Sequence, residues 1–460
     1  VCMARLVYVA HGLRGSLYTS LALAKRLRDD GHEVTFITFR DVSADVSQAG
    51  FDLVHLSRGD RAFATFRSEV ERRGKLRATP LGIRLRSRLI GSTEVRDTVQ
   101  QIRPDLLIID AEMHAAIIAT RALCVPTVLA IPWFSTFRAP GLPPMHTNLR
   151  PPETTLDRLR VEAAWEWELV KRFADRQLGW LSAPALRQAA RPFHLNTPNI
   201  RTVRALARFH NVDLSTIASW RHWMAPYVYP DIPLMTFTAH EMDFPHERPA
   251  MVTSVGVVID EQRREPLVTD VTRTRWQSFR DRAKADGRPL IYASMGSLQT
   301  GDAGFYQRIV SVFTRRKEWA LVLGLGAQAD IGALGELPDN VLALEYAPQL
   351  EVLDSAAVAI HHGGIGTINE CAWFEVPSIA SSSGFVDEPG TATRLDYHGL
   401  GLSIDDADLT PQTLDSSIER LLSDRTIAGN LSQLRTRLTA YRTDRIAEKL
   451  IADQIDQHQA

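Results

Sequence analysis

Short unbroken apolar runs alternate with stripes of helical period along much of this chain. That is the pattern left by strands buried on both faces and by the helices that cover them. Residues 4–40 read strand, loop, helix, strand: ARLVYVA, HGLRGS, LYTSLALAKRLRDDG and HEVTFITF. In the helix, Leu17, Leu21, Ala24 and Leu27 share one face, and Gly31 stands where a C-cap glycine belongs. This predicts a βαβ opening of a parallel sheet. Pro104 to Asp110, PDLLIID, predicts a buried strand ending in an acid, followed by the helix AEMHAAIIATRAL and the strand VPTVLAI. From 133 to 250 the pattern loosens into mostly helical segments.

The stretch from about 251 to 275 is charged and broken by proline, and it reads as a linker. Beyond it RPLIYASMGS (288–297), WALVLGLG (319–326), NVLALEYAP (340–348) and the run Ala356 to Ile360 predict further strands. Helices follow residue 401, the last from about Leu438 to Gln459. A chain of 460 residues exceeds what one hydrophobic core usually serves. The expected class is therefore α/β in two domains, 1–250 and 276–437, with 251–275 between them and a terminal helix over 438–460.

Composition narrows the function classes. Hydrophobic content of 45% with a formal net charge of −1 suits a soluble globular protein and gives no global attraction for nucleic acid. Cys2, Cys124 and Cys371 are too scattered for a disulfide framework or a metal site. No apolar run reaches about 18 residues, and no signal-peptide pattern opens the chain, so a reducing cytoplasm is the expected compartment. The first loop lacks G-x-G-x-x-G, so no nicotinamide cofactor is expected.

The most specific chemistry lies at 346–401. An apolar run empties into His361-His362-Gly363-Gly364-Ile365-Gly366-Thr367, and a helix begins immediately afterwards. A glycine turn at a helix N-terminus offers backbone N–H groups and the positive end of the dipole to an anion such as a diphosphate. His362 adds a side-chain donor there. Glu370, about one helical turn past Thr367, can take a pair of ribose hydroxyls, and Asp387 with Glu388 can accept from a polyhydroxylated sugar.

This arrangement resembles the donor-binding signature of the family 1, or UDP-glycosyltransferase, superfamily of GT-B fold. The matching residues are Tyr346-x-Pro348-Gln349, His362-Gly363-Gly364-x-Gly366-Thr367-x-x-Glu370, Val376-Pro377, Asp387 and Gly399-x-Gly401. The resemblance implies two Rossmann-like domains facing across a cleft and a last helix crossing back to the first. It also implies metal-independent transfer with inversion from a nucleoside-diphosphate sugar, which serves as co-substrate in place of a cofactor. In such enzymes a serine at the position of Ser297 meets the donor phosphate, and the residue at Tyr346 stacks on the base, which leaves UDP and dTDP both open.

Two departures carry information. Counting back from Leu21, Leu23, Ala24 and Lys25, the catalytic histidine of the family falls on Ser16. A serine hydroxyl cannot act alone as a general base near neutral pH. The acid that orients that histidine is matched by Asp110, although Asp110 could equally cap its helix. His11, earlier in the same loop, His114 and Asp110 itself, directly or through a water, are the substitute bases. An acceptor needing little deprotonation, or a chain that binds without catalysing, are the other readings. The second departure is Glu388, where the family commonly has glutamine. It reads either as recognition of an aminosugar or as an ordinary acceptor of hydroxyl hydrogen bonds.

For the acceptor the sequence gives only hints. Six of the nine tryptophans, Trp133, Trp165, Trp167, Trp180, Trp220 and Trp223, lie between 133 and 250 and would suit a pocket for a small, apolar or amphipathic metabolite, or simply pack in the core. Residues 58–103 hold twelve basic and five acidic residues, which reads first as a solvated face and otherwise as a grip on an acidic acceptor or a membrane surface. The expected function is glycosyl transfer to a metabolite, as in antibiotic biosynthesis. The alternatives are a catalytically silent nucleotide-sugar-binding auxiliary protein and a sugar epimerase of the same fold.

Overall fold

The structure is a computed structural model of the 460-residue chain, and it describes residues 3–56, 92–178, 200–214, 222, 229–296, 303–326, 331–384 and 387–459. Two sheets organise it, both parallel at every pairing. The first contains β1 (Arg5–Ala10), β2 (Glu33–Thr38), β3 (Asp52–His55), β4 (Leu106–Asp110), β5 (Thr127–Ile131), β6 (Leu234–Thr236) and β7 (Val252–Ser254), in the order β3-β2-β1-β4-β5-β6-β7. The second contains β8 (Leu290–Ser294), β9 (Ala320–Gly324), β10 (Val341–Leu344), β11 (Val358–His361), β12 (Ser378–Ser382) and β13 (Gly401–Asp405), in the order β10-β9-β8-β11-β12-β13. Helices cover both faces, which is why β4, β8 and β9 can be buried at every position.

Each sheet order reverses at one place, between β1 and β4 in the first and between β8 and β11 in the second. In such sheets the carboxyl ends of the strands flanking the reversal open a crevice for ligands. Register brings Val9 beside Ile109 in the first sheet and His361 beside Ser294 in the second. His11 and Asp110, which follow or end the first pair of strands, therefore share one crevice. Gly296 and His362 share the other.

Four boundaries differ from the sequence reading. The segment 251–275 is not all linker: Val252–Ser254 pairs with β6, and a helix begins at Asp270 behind the Thr269 cap. The C-terminal helix is two helices, Arg425–Thr443 and Ile446–Gln459, broken where Arg445 takes a left-handed φ of 56°. After the break, Ala447, Ile451 and Ile455 enter the core beside Leu6, Tyr8, Leu17 and Leu21, so the last helix packs on the first sheet's domain. The first helix starts at Arg14, which puts Ser16 inside its first turn instead of in the loop. The helix after β4 starts at His114, and its cap position is Met113, so Asp110 does not cap it.

The tryptophans expected to line a pocket divide. Trp133 and Trp165 are core residues, the latter donating its indole N–H to the carbonyl of Leu142 at 2.8 Å, whereas Trp167 is exposed. Trp180, Trp220 and Trp223, and residues 57–91 of the basic stretch, lie outside the described residues. Among the described residues no helix is long and apolar enough to cross a membrane, and no cluster of three or more His, Cys, Asp or Glu could hold a metal ion.

Candidate active site

The glycine turn connects β11 to the helix Ile365–Trp373. His361 builds it: one ring nitrogen pairs with Ser378 Oγ at 3.0 Å, and Nδ1 accepts the amide N–H of Gly363 at 3.0 Å. Gly363 itself needs a left-handed φ of 90°, and Gly364 caps the helix in extended geometry. The imidazole of His362 lies between two glycines. A Cβ placed on Gly296 would come within 2.4 Å of its Cε1, and one on Gly364 within 2.4 Å of its Nε2. Its Nδ1 is buried without a partner, and burial holds the ring's pKa down at about 4, so it is neutral near pH 7 and offers one N–H. Ser297, next to Gly296, lies outside the described residues.

Glu370 sits on the same helix, buried. Its Oε1 accepts from Nη1 of Arg263 at 2.7 Å, and its Oε2 accepts from Nε2 of Gln349 at 2.5 Å. Gln349 is fixed in turn by the hydroxyl of Tyr292, 3.0 Å from its Oε1. Thr367 is half-buried in the first turn of the helix, and Tyr346 is half-buried just after β10. The turn also reaches the other domain: a Cβ on Gly366 would lie 3.4 Å from the carbonyl oxygen of Gly15. Ser16 therefore stands close to the glycine turn.

Beyond β12, Asp387 and Glu388 open the helix Glu388–Tyr397. One oxygen of Glu388 accepts from the amide and hydroxyl of Ser383 at 3.2 and 3.1 Å, so this carboxylate braces its own loop instead of standing wholly toward a ligand. Burial pushes Asp387 up to about pKa 7. The hydroxyl of Thr391 in the next turn bonds the carbonyl of Gly363, locking this helix to the glycine turn.

In the first crevice the expected acid–histidine contact takes a different form. The backbone N–H of His11 donates to Asp110 Oδ2 at 2.5 Å, while both ring nitrogens of His11 are buried without partners. Burial, reinforced by the charge of Arg40, lowers His11 to about pKa 4. Burial also raises Asp110 to about pKa 7, with the His11 amide opposing the shift. Ser16 donates its hydroxyl to the carbonyl of Leu13 at 3.1 Å, in its own helical turn. His114 is a core residue paired with the Tyr229 hydroxyl at 3.1 Å, with its pKa lowered to about 4 by burial.

Contacts that no motif announces hold the crevices together. Arg394, on the helix carrying Glu388, donates from Nε to Asp243 Oδ1 at 2.6 Å, and its guanidinium lies 4.2 Å from the ring centre of Phe244 and 5.3 Å from that of Phe134. The other Asp243 oxygen accepts the amide of Ser135 at 2.9 Å. Gly390 donates its N–H to the carbonyl of Met145 at 2.9 Å, and Asn369 donates to the carbonyl of Phe237 at 2.9 Å. Arg394, Arg263 and Asp243 escape sequence reading because an ion pair spanning more than a hundred residues leaves no periodic signal.

Residues 318–452 match the family of the erythromycin biosynthesis protein CIII-like C-terminal domain. A demethyllactenocin mycarosyltransferase of Streptomyces fradiae is 32% identical over 151 residues, 33% of this chain and 32% of that protein. An oleandomycin glycosyltransferase of Streptomyces antibioticus is 31% identical over 178 residues, 37% of this chain and 41% of that protein. The matched stretch thus spans from 32% to 41% of the length of these relatives. Across the whole length, the solved glycotransferase of kitacinnamycin superposes with a TM-score of 0.68 at 23% identity, covering 99% of this chain and 100% of that one. The calicheamicin glycosyltransferase CalG4 does so with a TM-score of 0.64 at 17% identity, covering 100% of both.

Proposed function

We propose that this chain, which has the GT-B fold throughout and the C-terminal domain of family 1 glycosyltransferases of the antibiotic-biosynthesis type, moves a sugar from a nucleoside-diphosphate donor to a small apolar metabolite. The observation that carries the reading is the neutral imidazole of His362, packed between Gly296 and Gly364 at the N-terminus of the helix Ile365–Trp373. A diphosphate there would meet fixed donors at the place where negative charge grows as the anomeric C–O bond breaks. Either UDP or dTDP suits the turn, since the stacking residue is Tyr346.

The acceptor oxygen attacks the anomeric carbon from the face opposite the diphosphate, inverting it, and its proton must go to a base. Ser16 is unsuited, being a hydroxyl that already donates to Leu13. Asp110, with a pKa near 7 in the crevice facing the glycine turn, is matched to that work, and His11 lines the same crevice as a weaker base. Diphosphate charge is met by His362 and helix N–H groups, so a metal ion is not required by this scheme.

The test is calorimetric titration with UDP and with dTDP of the wild-type chain and of His362→Ala, followed by nucleotide release with acceptors present. Binding that weakens at least about tenfold in the variant supports the donor site. Nucleotide release that needs an acceptor supports transfer, whereas donor binding without any such release would return the chain to the auxiliary reading. Absence of nucleotide binding by the wild type would overturn both.

A further inference from the structure

The connection between the two sheets supplies a residue to the nucleotide site that neither the motif nor the matched family segment contains. Arg263 follows β7 by nine residues and precedes the helix Asp270–Ala285. Its guanidinium is nearly covered, with 12% of the side chain exposed, and its donors are divided between two carboxylates. Nη1 reaches Glu370 Oε1 at 2.7 Å, and Nε and Nη2 reach Glu265 Oε1 at 3.0 Å each. Burial works against the charge of Arg263, but Glu370 and Glu265 outweigh it and hold the guanidinium protonated.

The Cζ of the guanidinium lies 4.4 Å from the ring centre of Tyr18 on the first helix. Tyr18 is anchored by its hydroxyl to Asp45 Oδ1 at 2.8 Å. About two turns further along that helix, Lys25 pairs with Asp260 at 2.5 Å, fastening the start of the same connection. The helix that opens the N-terminal domain thus presents the connection to the nucleotide site of the C-terminal domain.

Glu370 is consequently held from two sides, by Gln349 of its own domain and by Arg263 of the connection. A carboxylate has about four acceptor positions, so two contacts fix its orientation and leave capacity for hydroxyl donors. We propose that Arg263 is a positioning residue for the donor, holding the Glu370 carboxylate toward the ribose hydroxyls and making ribose recognition depend on the docking of the N-terminal helix through Tyr18. This rests on the donor-site reading above. A fixed acceptor costs less ordering on binding than a mobile one, so the contribution belongs to ribose and not to the diphosphate.

The test compares UDP with 2′,3′-dideoxyuridine diphosphate by calorimetry on wild type, Arg263→Met, Arg263→Lys and Tyr18→Leu. The wild type is expected to prefer UDP, and Arg263→Met to lose about tenfold for UDP while its affinity for the dideoxy nucleotide stays within about twofold. Arg263→Lys, which keeps the charge without the fork, restores part of the preference, and Tyr18→Leu lowers it in the same direction. If Arg263→Met does not fold, the lysine variant carries the test, with a loss for UDP alone as the expected result. Equal weakening of both nucleotides, or tighter UDP binding by Arg263→Met, would overturn the proposal, the latter making the guanidinium a competitor of ribose. A wild type that binds both nucleotides alike, and needs His362 to do so, sinks this inference while leaving the donor site standing. A wild type that binds UDP no better than its dideoxy form while binding dTDP also sinks this inference alone, and one that binds neither UDP nor dTDP removes both.

Discussion

Asp110 accepts the backbone N–H of His11, not its imidazole, at 2.5 Å. In the arrangement expected from the family resemblance, an acid in this place holds a histidine ring; here the acid is raised to about pKa 7 by burial and the nearby ring is left without a partner. Base strength has moved from an imidazole toward the carboxylate.

Asp110→Asn should therefore lower kcat by about 10²- to 10⁴-fold, the usual contribution of a general base, while nucleotide affinity stays unchanged. In the wild type kcat should fall as pH drops below about 7, where Asp110 becomes protonated, and the variant should lose that limb. A pH profile of acceptor-dependent nucleotide release reads both. A retained acid limb in the variant would shift the role to another group.

The same carboxyl shapes stability. Its folded pKa, about 7, exceeds the ordinary 3.8, so between those values the folded chain binds more protons than the unfolded one at this site. Its contribution is present below about pH 4 and is lost as pH rises through 7. Asp110→Asn should gain stability relative to wild type across that window, seen as a pH-dependent difference in denaturation midpoints. His11, His114 and His362, lowered from 6.5 to about 4 by burial, act oppositely: their contribution is present above about 6.5 and is lost on acidification toward 4.

Gly296→Ala adds a methyl that would meet the His362 ring at 2.4 Å, at a residue whose φ is +75°. The ring must move from the helix N-terminus. Loss of a preorganised donor typically costs about 10²- to 10³-fold in kcat, and a loss in that range is expected here, with the denaturation midpoint reporting any strain separately. Unchanged turnover would argue against His362 as the diphosphate donor.

Arg394→Met leaves the buried Asp243 carboxylate without its cation, an error of the kind that costs about 3–5 kcal/mol. Asp243 would still accept the amides of Ser135 and Phe244, so the lower part of that range is expected. Denaturant unfolding measures it. A double variant, Arg394→Met with Asp243→Asn, should recover part of the loss, because the uncompensated charge is gone.

Much of the architecture was legible in the chain. Short apolar runs bounded by turn residues suit strands buried on both faces, and their alternation with amphipathic helices points to parallel sheets. The glycine turn was legible for a local reason as well: Gly363 needs a left-handed φ and Gly364 leaves room for the His362 ring, requirements that act over two or three residues. Glu370 one turn onward follows from helical period alone. What tertiary structure alone decided was partnership. That His11 meets Asp110 through its backbone, that Glu370 carries Arg263, and that Arg394 reaches Asp243 depend on residues 99, 107 and 151 positions apart in sequence. The first of these contacts forms when β1 and β4 pair and the other two only once both sheets are docked, because electrostatic preference at a few ångströms has no counterpart in the spacing of residues along a chain.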